Sequence, residues 1–345
     1  MTPQATPSYM AREVAEVPAA TRRFLTDSAD ATRAAARALR SADPHLIITV
    51  ARGSSDHAAT YLKYAVELLA GIPVASVGPS IASIYGRPLR LRGAACIGIS
   101  QSGKSPDIVA MTDAARAGGA LTIAITNFAD SPMAAASAHC LPLAAGEEHS
   151  VAATKTFVSS VVAGLALLAE WQDDAPLLQA VADLPAAFDR ALTMDWAPLA
   201  NRLSRAQQAY VLGRGPGFAI AAEMALKLKE TCGLHAESYS AAEVLHGPSA
   251  IVQERFPVLA LAVEDAARAQ ITATAERLAE QGADVFITGT TAAGCTTLPA
   301  VDGLHPLVAP LVNAVTFYAF VETLALRRGF DPDTPPHLRK VTRTL

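Results

Sequence analysis

A buried-type strand, an Arg-Gly turn and a long helix occur twice in this chain, and the repetition narrows the folds open to it. Leu46-Ile47-Ile48-Thr49-Val50 runs through Ala51-Arg52-Gly53-Ser54-Ser55-Asp56 into a helical pattern over 58–69, stopped by Gly71-Ile72-Pro73-Val74. Tyr210-Val211-Leu212-Gly213 runs through Arg214-Gly215-Pro216-Gly217 into a second pattern over 219–232. A short continuous apolar run between turn signals marks a strand covered on both faces. Further strands are expected at 94–97, 121–126 and 140–143, with another apolar stretch over 257–263. Leu141-Pro142 with Gly146, and Leu298-Pro299 with Gly303, precede long apolar helices over 151–171 and 308–326. Strands alternating with helices predict an α/β fold, a mainly parallel sheet between two helical layers. The duplication predicts two such sandwiches in tandem. The chain divides into a helical arm (1–40), a first domain (41–175), a linker (176–200), a second domain (201–330) and a tail (331–345). The arm reads as loose over 1–9 and then as helices broken near Pro18.

The stretch Gly98-Ile99-Ser100-Gln101-Ser102-Gly103-Lys104-Ser105 follows the 94–97 strand and leads through Pro106 into a helix. Strand, small polar turn and helix start together aim backbone N–H groups and the positive helix end at one spot. Ser100, Ser102 and Ser105 add hydroxyl donors and Gln101 an amide, so the loop is suited to a phosphate. The same residues satisfy the nucleotide pattern G-x-x-x-x-G-K-[ST]. That pattern usually pairs with an acidic strand end for magnesium, and the next strand ends in Thr126-Asn127. Phosphate binding of some kind outranks an ordinary polar turn. The second copy has no such loop, because 257–263 runs into Glu264-Asp265, so one phosphate site per chain is expected.

Among 345 residues, 51% are hydrophobic and 17% charged, enough for two packed cores and unlike a disordered chain. A net charge of −4 leaves no basic surface for nucleic acid. No apolar run reaches the roughly 20 residues of a membrane span, and the start has no signal-peptide core. Cys96, Cys140, Cys232 and Cys295 lack metal spacing, so free thiols in a reducing cytoplasm are expected.

The first helix of the second copy carries Glu223, Lys227 and Glu230, spaced by four and three on one helical face. A solvated salt-bridged stripe is the commoner meaning of such charges. This helix is otherwise apolar and opens where such sheets bind ligands. His235-Ala236-Glu237-Ser238-Tyr239 and then His246-Gly247-Pro248 follow within twenty residues.

Taken together, these motifs resemble the SIS (sugar isomerase) phosphosugar-binding family, in the tandem form of the isomerase half of glucosamine-6-phosphate synthases. The resemblance runs from about Leu46 to the C-terminus. It rests on Ser100-Gln101-Ser102-Gly103, Val151-Ala152-Ala153-Thr154-Lys155-Thr156-Phe157, Ala225-Leu226-Lys227-Leu228-Lys229-Glu230, His235-Ala236-Glu237, His246-Gly247-Pro248 and Leu338-Arg339-Lys340-Val341-Thr342. There are departures. No cysteine precedes Cys96, so the synthase's glutaminase domain with its N-terminal cysteine is not expected here. The loop continues Gly103-Lys104-Ser105 where synthases have Gly-Glu-Thr, and Arg339 replaces an alanine beside the sugar. The layout is closer to stand-alone amino-sugar-phosphate deaminases and deglycases of the family.

The resemblance implies a phosphosugar isomerase-type deaminase that converts glucosamine 6-phosphate to fructose 6-phosphate and ammonia. A fructosamine-6-phosphate deglycase, an ammonia-dependent aminating isomerase and a non-catalytic sugar-phosphate sensor are the alternatives. It implies Glu230 as the base that carries a proton between C1 and C2 and His246 as the ring-opening acid/base. Lys340 acts on the carbonyl from the tail, and Lys227 orients Glu230 or stabilises the enol(amin)ate. Ser55, Ser100, Gln101, Ser102, Ser105, Val151 and Arg339 are the expected substrate contacts. The implied assembly is a homodimer with His246 given across the interface. No metal or cofactor is required, and neither nucleic acid nor membrane is an expected partner.

Overall fold

A computed structural model describes residues 7–340, which form two compact units. One gathers residues 19–146 and 156–185, the other residues 7–18, 147–155 and 186–340. The arm consists of α1 (Tyr9–Ala15), α2 (Val17–Asp27) and α3 (Ala29–Ala42). Ser8 caps α1 by accepting from the Ala11 N–H at 2.9 Å, so helix begins within the stretch expected to be loose over 1–9; residues 1–6 lie outside the described residues. One break falls at Glu16, near Pro18 as expected, and a second at Ser28. A proline fits the first turn of a helix, where no N–H is needed, and Pro18 sits there in α2.

The first unit holds β1 (Leu46–Val50), α4 (Ser54–Leu69), β2 (Val74–Ser76), α5 (Ser80–Ser83), β3 (Ala94–Ile99), α6 (Pro106–Ala117), β4 (Leu121–Thr126), α7 (Pro132–Ala136) and β5 (His139–Pro142). Its five strands are parallel, in the order β2-β1-β3-β4-β5. Every residue of β3 is buried, as expected for a strand covered on both faces. After β5 come α8 (Lys155–Gln172), α9 (Ala175–Ala182), α10 (Leu184–Ala191) and α11 (Ala197–Leu203). The helix expected from 151 begins at Lys155, because 151–154 stays an irregular turn. The one expected from 58 begins at Ser54.

The second sheet is built from β6 (Gln208–Gly213), β7 (His235–Ser240), β8 (Pro257–Ala260), β9 (Asp284–Thr288) and β10 (Thr296–Leu298), with α12 (Pro216–Cys232), α13 (Arg268–Glu280) and α14 (Ala309–Arg327). Its order is β7-β6-β8-β9-β10, all parallel. The tandem α/β reading therefore stands, strand for strand. Three strands were not anticipated: β2, where the sequence read only a helix stop, β7, over the His235–Tyr239 segment, and β9, in a stretch to which no strand was assigned. One helix, α14, is long and apolar enough to cross a membrane by length and composition, with mean hydropathy 1.4, but 78% of that window is buried within the protein.

Candidate active site

Ligands of open parallel sheets bind beyond the carboxyl ends of the strands, where the strand order reverses. In the first unit that point lies between β1 and β3, and the loops leaving them carry Ser55 and the serine-rich turn. Ser55 is half-buried in the first turn of α4. Ser100 is buried, and its hydroxyl accepts from the Gly103 N–H at 3.2 Å. The Ser102 hydroxyl accepts from the Lys104 N–H, also at 3.2 Å. Ser105 is the residue before α6, and its side chain does not cap that helix. Carbonyls tie the loop down from behind: Gln101 accepts from the Asn127 N–H at 3.1 Å and Gly103 from the Met133 N–H at 3.0 Å.

Gly103 is required where it stands. Its φ is +62°, and a Cβ would lie 2.2 Å from Ser131 Oγ. Lys104 points its ammonium over the Phe128 ring at 5.6 Å, and β4 ends without a carboxylate. Neither arrangement suits a nucleotide loop, which needs its lysine at the phosphates and an acid at the metal.

In the second unit, Glu223, Lys227 and Glu230 are not a solvated stripe. Lys227 and Glu223 are wholly buried, and only the Glu230 side chain is part-exposed, at 22%. Lys227 Nζ donates to Glu230 Oε2 at 2.5 Å and lies 3.3 Å from Glu223 Oε1. Tyr318, buried in α14, donates to Glu223 Oε1 at 2.9 Å. Burial pulls the Lys227 pKa down, but the two carboxylates more than offset it and hold it above the ordinary value. Lys227 is thus a fixed cation, suited to orienting a carboxylate and unsuited to acting as a base. Burial, then Glu223, drives the Tyr318 phenol well above its ordinary range, which keeps it a donor.

The tail reaches the same electrostatic neighbourhood. Lys340 Nζ donates to Glu148 Oε2 and to the Ser150 carbonyl, both at 2.7 Å. Glu148, which accepts from Lys340, and Glu230 both push the Tyr318 phenol up, after burial and Glu223. The Val151 N–H goes to the Asp333 carbonyl at 3.1 Å. Arg339 is exposed. His246 is exposed at the end of a 3-10 turn (Glu243–His246) and makes no hydrogen bond to this cluster. Glu148, Tyr318 and Glu13, whose carboxylate holds the 149–150 turn, were not anticipated from sequence. Of the three, Tyr318 left a trace, a phenol within a largely apolar helix.

The sequence profile of the SIS domain matches residues 40–170 and 202–299. The glutamine–fructose-6-phosphate aminotransferase (isomerizing) of Zymomonas mobilis is 31% identical over 312 residues, covering 85% of this chain and 51% of that protein. The chain thus spans about half the length of such curated relatives. A crystal structure of a candidate phosphosugar isomerase from Silicibacter pomeroyi superimposes with a TM-score of 0.92 at 51% identity, covering 95% of this chain and all of that one. The glucosamine-6-phosphate deaminase of Thermotoga maritima shares the fold, with a TM-score of 0.78 at 21% identity over 98% of this chain and all of that one.

Proposed function

Because the chain belongs to the SIS domain family, we propose that it is a phosphosugar isomerase-type deaminase. It opens an amino-sugar phosphate, carries a proton from C2 to C1 and hydrolyses the resulting imine with water. The products are ammonia and a ketose phosphate, with glucosamine 6-phosphate giving fructose 6-phosphate as the expected pair. The observation that carries this reading is the part-exposed Glu230 carboxylate, held at 2.5 Å by a cation that is itself buried. A proton shuttle between adjacent carbons needs a base that is both accessible and rigidly held.

The roles follow from the groups. The serine-rich loop holds the phosphate through hydroxyls and backbone N–H groups. Lys227 fixes Glu230 and opposes the negative charge that develops on the enol(amin)ate. Lys340 acts on the carbonyl or imine. His246, exposed on its turn, assists ring opening and is offered to a second copy of the chain in a homodimer. No resident metal or cofactor is called on. All four cysteines are unpaired, in keeping with a cytoplasmic enzyme.

An ammonia-release assay run on glucosamine 6-phosphate, its epimers and a fructosamine 6-phosphate tests the proposal. Ammonia with stoichiometric ketose phosphate from an aldose amine is the expected outcome. Release only from the fructosamine would make the enzyme a deglycase. Tight binding of these sugars without turnover would make it a sensor.

A further inference from the structure

We propose that Glu13, on the N-terminal arm, is a positioning residue for the Lys340 ammonium and acts through the backbone of Ser150. The inference deepens the reading above, since it matters to turnover only if Lys340 acts on substrate.

The carboxylate of Asp333, on the tail, caps α1: its two oxygens accept from the Tyr9 N–H at 2.7 Å and the Met10 N–H at 2.8 Å. One turn further along α1, Glu13 is 3% exposed. Its Oε1 accepts from the N–H groups of His149 and Ser150, the latter at 3.2 Å. The next peptide unit is pinned at both ends. Its carbonyl, on Ser150, takes the Lys340 ammonium at 2.7 Å, and its N–H, on Val151, is held by the Asp333 carbonyl at 3.1 Å. The arm thus fixes the turn, and the turn presents the oxygen that anchors the lysine.

Among the described residues, the buried Glu13 Oε2 has no hydrogen-bond partner, a position that an ionised carboxylate occupies only at high cost. Burial pushes its carboxyl up; the N–H of His149 pulls it down, Glu148 pushes it up, the N–H of Ser150 and the charge of Lys340 pull it down, and the balance is upward. A neutral Glu13 still accepts through Oε1 and leaves Glu148 as the anion facing Lys340. None of the groups that carry the proposed chemistry explains why a polar arm residue should be buried here, whereas holding the turn does.

The test compares Glu13→Met, which removes the acceptor at similar volume, with Glu13→Gln, which keeps a neutral acceptor oxygen. The first readout is acylation of Lys340 by an amine-reactive ester, followed by mass spectrometry, with Lys63 as internal reference. It requires no activity. Loss of the anchoring geometry should speed labelling of Lys340 about tenfold in Glu13→Met, the scale of one hydrogen bond to a charged group, with Lys63 unchanged. Glu13→Gln should label like the natural protein. Where the amino-sugar phosphate is turned over, kcat should fall in Glu13→Met with KM unchanged, and Glu13→Gln should restore it. Unchanged Lys340 labelling in a folded Glu13→Met would overturn the proposal. So would a Glu13→Gln that behaves like Glu13→Met, or failure of both variants to fold, since a positioning residue is dispensable to the fold. Faster labelling in an enzyme that turns over no sugar phosphate leaves the positioning intact and removes the deaminase reading instead.

Discussion

The two sheets share more than an order of strands. Gly53 and Gly215 precede the first helix of each copy with φ, ψ of 54°, −135° and 56°, −135°, so the turns off β1 and β6 are the same turn. The contents differ. In the first unit the strand ends carry hydroxyls and a glycine at φ +62° that lets the backbone turn tightly. In the second, the corresponding strand β8 leads into Leu261–Asp265, and the first helix carries a buried cation between two carboxylates. On the proposed reading, one scaffold serves two physical tasks. Holding a phosphate is a constant task, alike in ground and transition states. Moving a proton is a task met only as the barrier is crossed.

That division can be broken most sharply at Glu230. In Glu230→Gln the side chain keeps its shape but cannot take a carbon-bound proton. Turnover should drop about 10²–10⁴-fold, the usual share of acid–base catalysis. Calorimetry should show the sugar phosphate still bound, and solvent deuterium should no longer enter C1 or C2. Deuterium wash-in that persists in the variant would return Glu230 to the role of a mere ion-pair partner of Lys227.

On the other side of the comparison, Ser102→Ala should raise KM and leave kcat nearly intact. One lost hydrogen bond to a charged group is worth about 1.5–3 kcal/mol, or about ten- to a hundredfold in affinity. Steady-state kinetics decides it, and a fall in kcat at unchanged KM would contradict a uniform binding role.

The smallest expected effect is on stability against pH. Glu13 has a raised pKa in the folded protein, so over the window above its ordinary value of 4.5 the native state holds more protons than the unfolded chain. Stability from this group is present at acid pH and is lost as pH rises through the raised value. The groups facing it are Glu148 and Lys340 across the turn, with Asp333 at the start of its helix. Urea unfolding at a series of pH values should show that decline in the natural protein and a flatter profile in Glu13→Gln. Identical profiles would mean that Glu13 titrates normally.

Much of this was legible because it is local. The strand at Leu46–Val50 is announced by its apolar run, and the tight turn after β3 by three serines and a glycine ahead of Pro106. The one-sided spacing of Glu223, Lys227 and Glu230 was readable too. Their burial was not, because it comes from α14, far along the chain, packing on α12. The edge strands β2 and β7 were missed because an edge strand is half-covered and is defined by its neighbour's hydrogen bonds rather than by its own pattern. His235–Ser240 has a single buried residue, Ala236, and qualifies as a strand only by pairing with β6. Glu148 sits in a turn that reads as polar and solvated, yet its side chain is fully buried beneath Lys340, 192 residues away.

The chain's two units are not its two halves. The unit that holds the second sheet also includes residues 7–18 and 147–155, which flank the first sheet in sequence. Dissection of this protein by simple truncation should therefore fail in an asymmetric way. A fragment beginning in the linker would keep Glu223, Lys227, Glu230 and Lys340 but lose Glu148, Ser150 and the arm, so the tail lysine would have nothing to bind. A fragment ending there would keep its whole sheet yet carry orphaned segments whose partners lie on the missing piece. Because each unit draws on segments separated along the chain, minimal versions are better sought by circular permutation than by cutting.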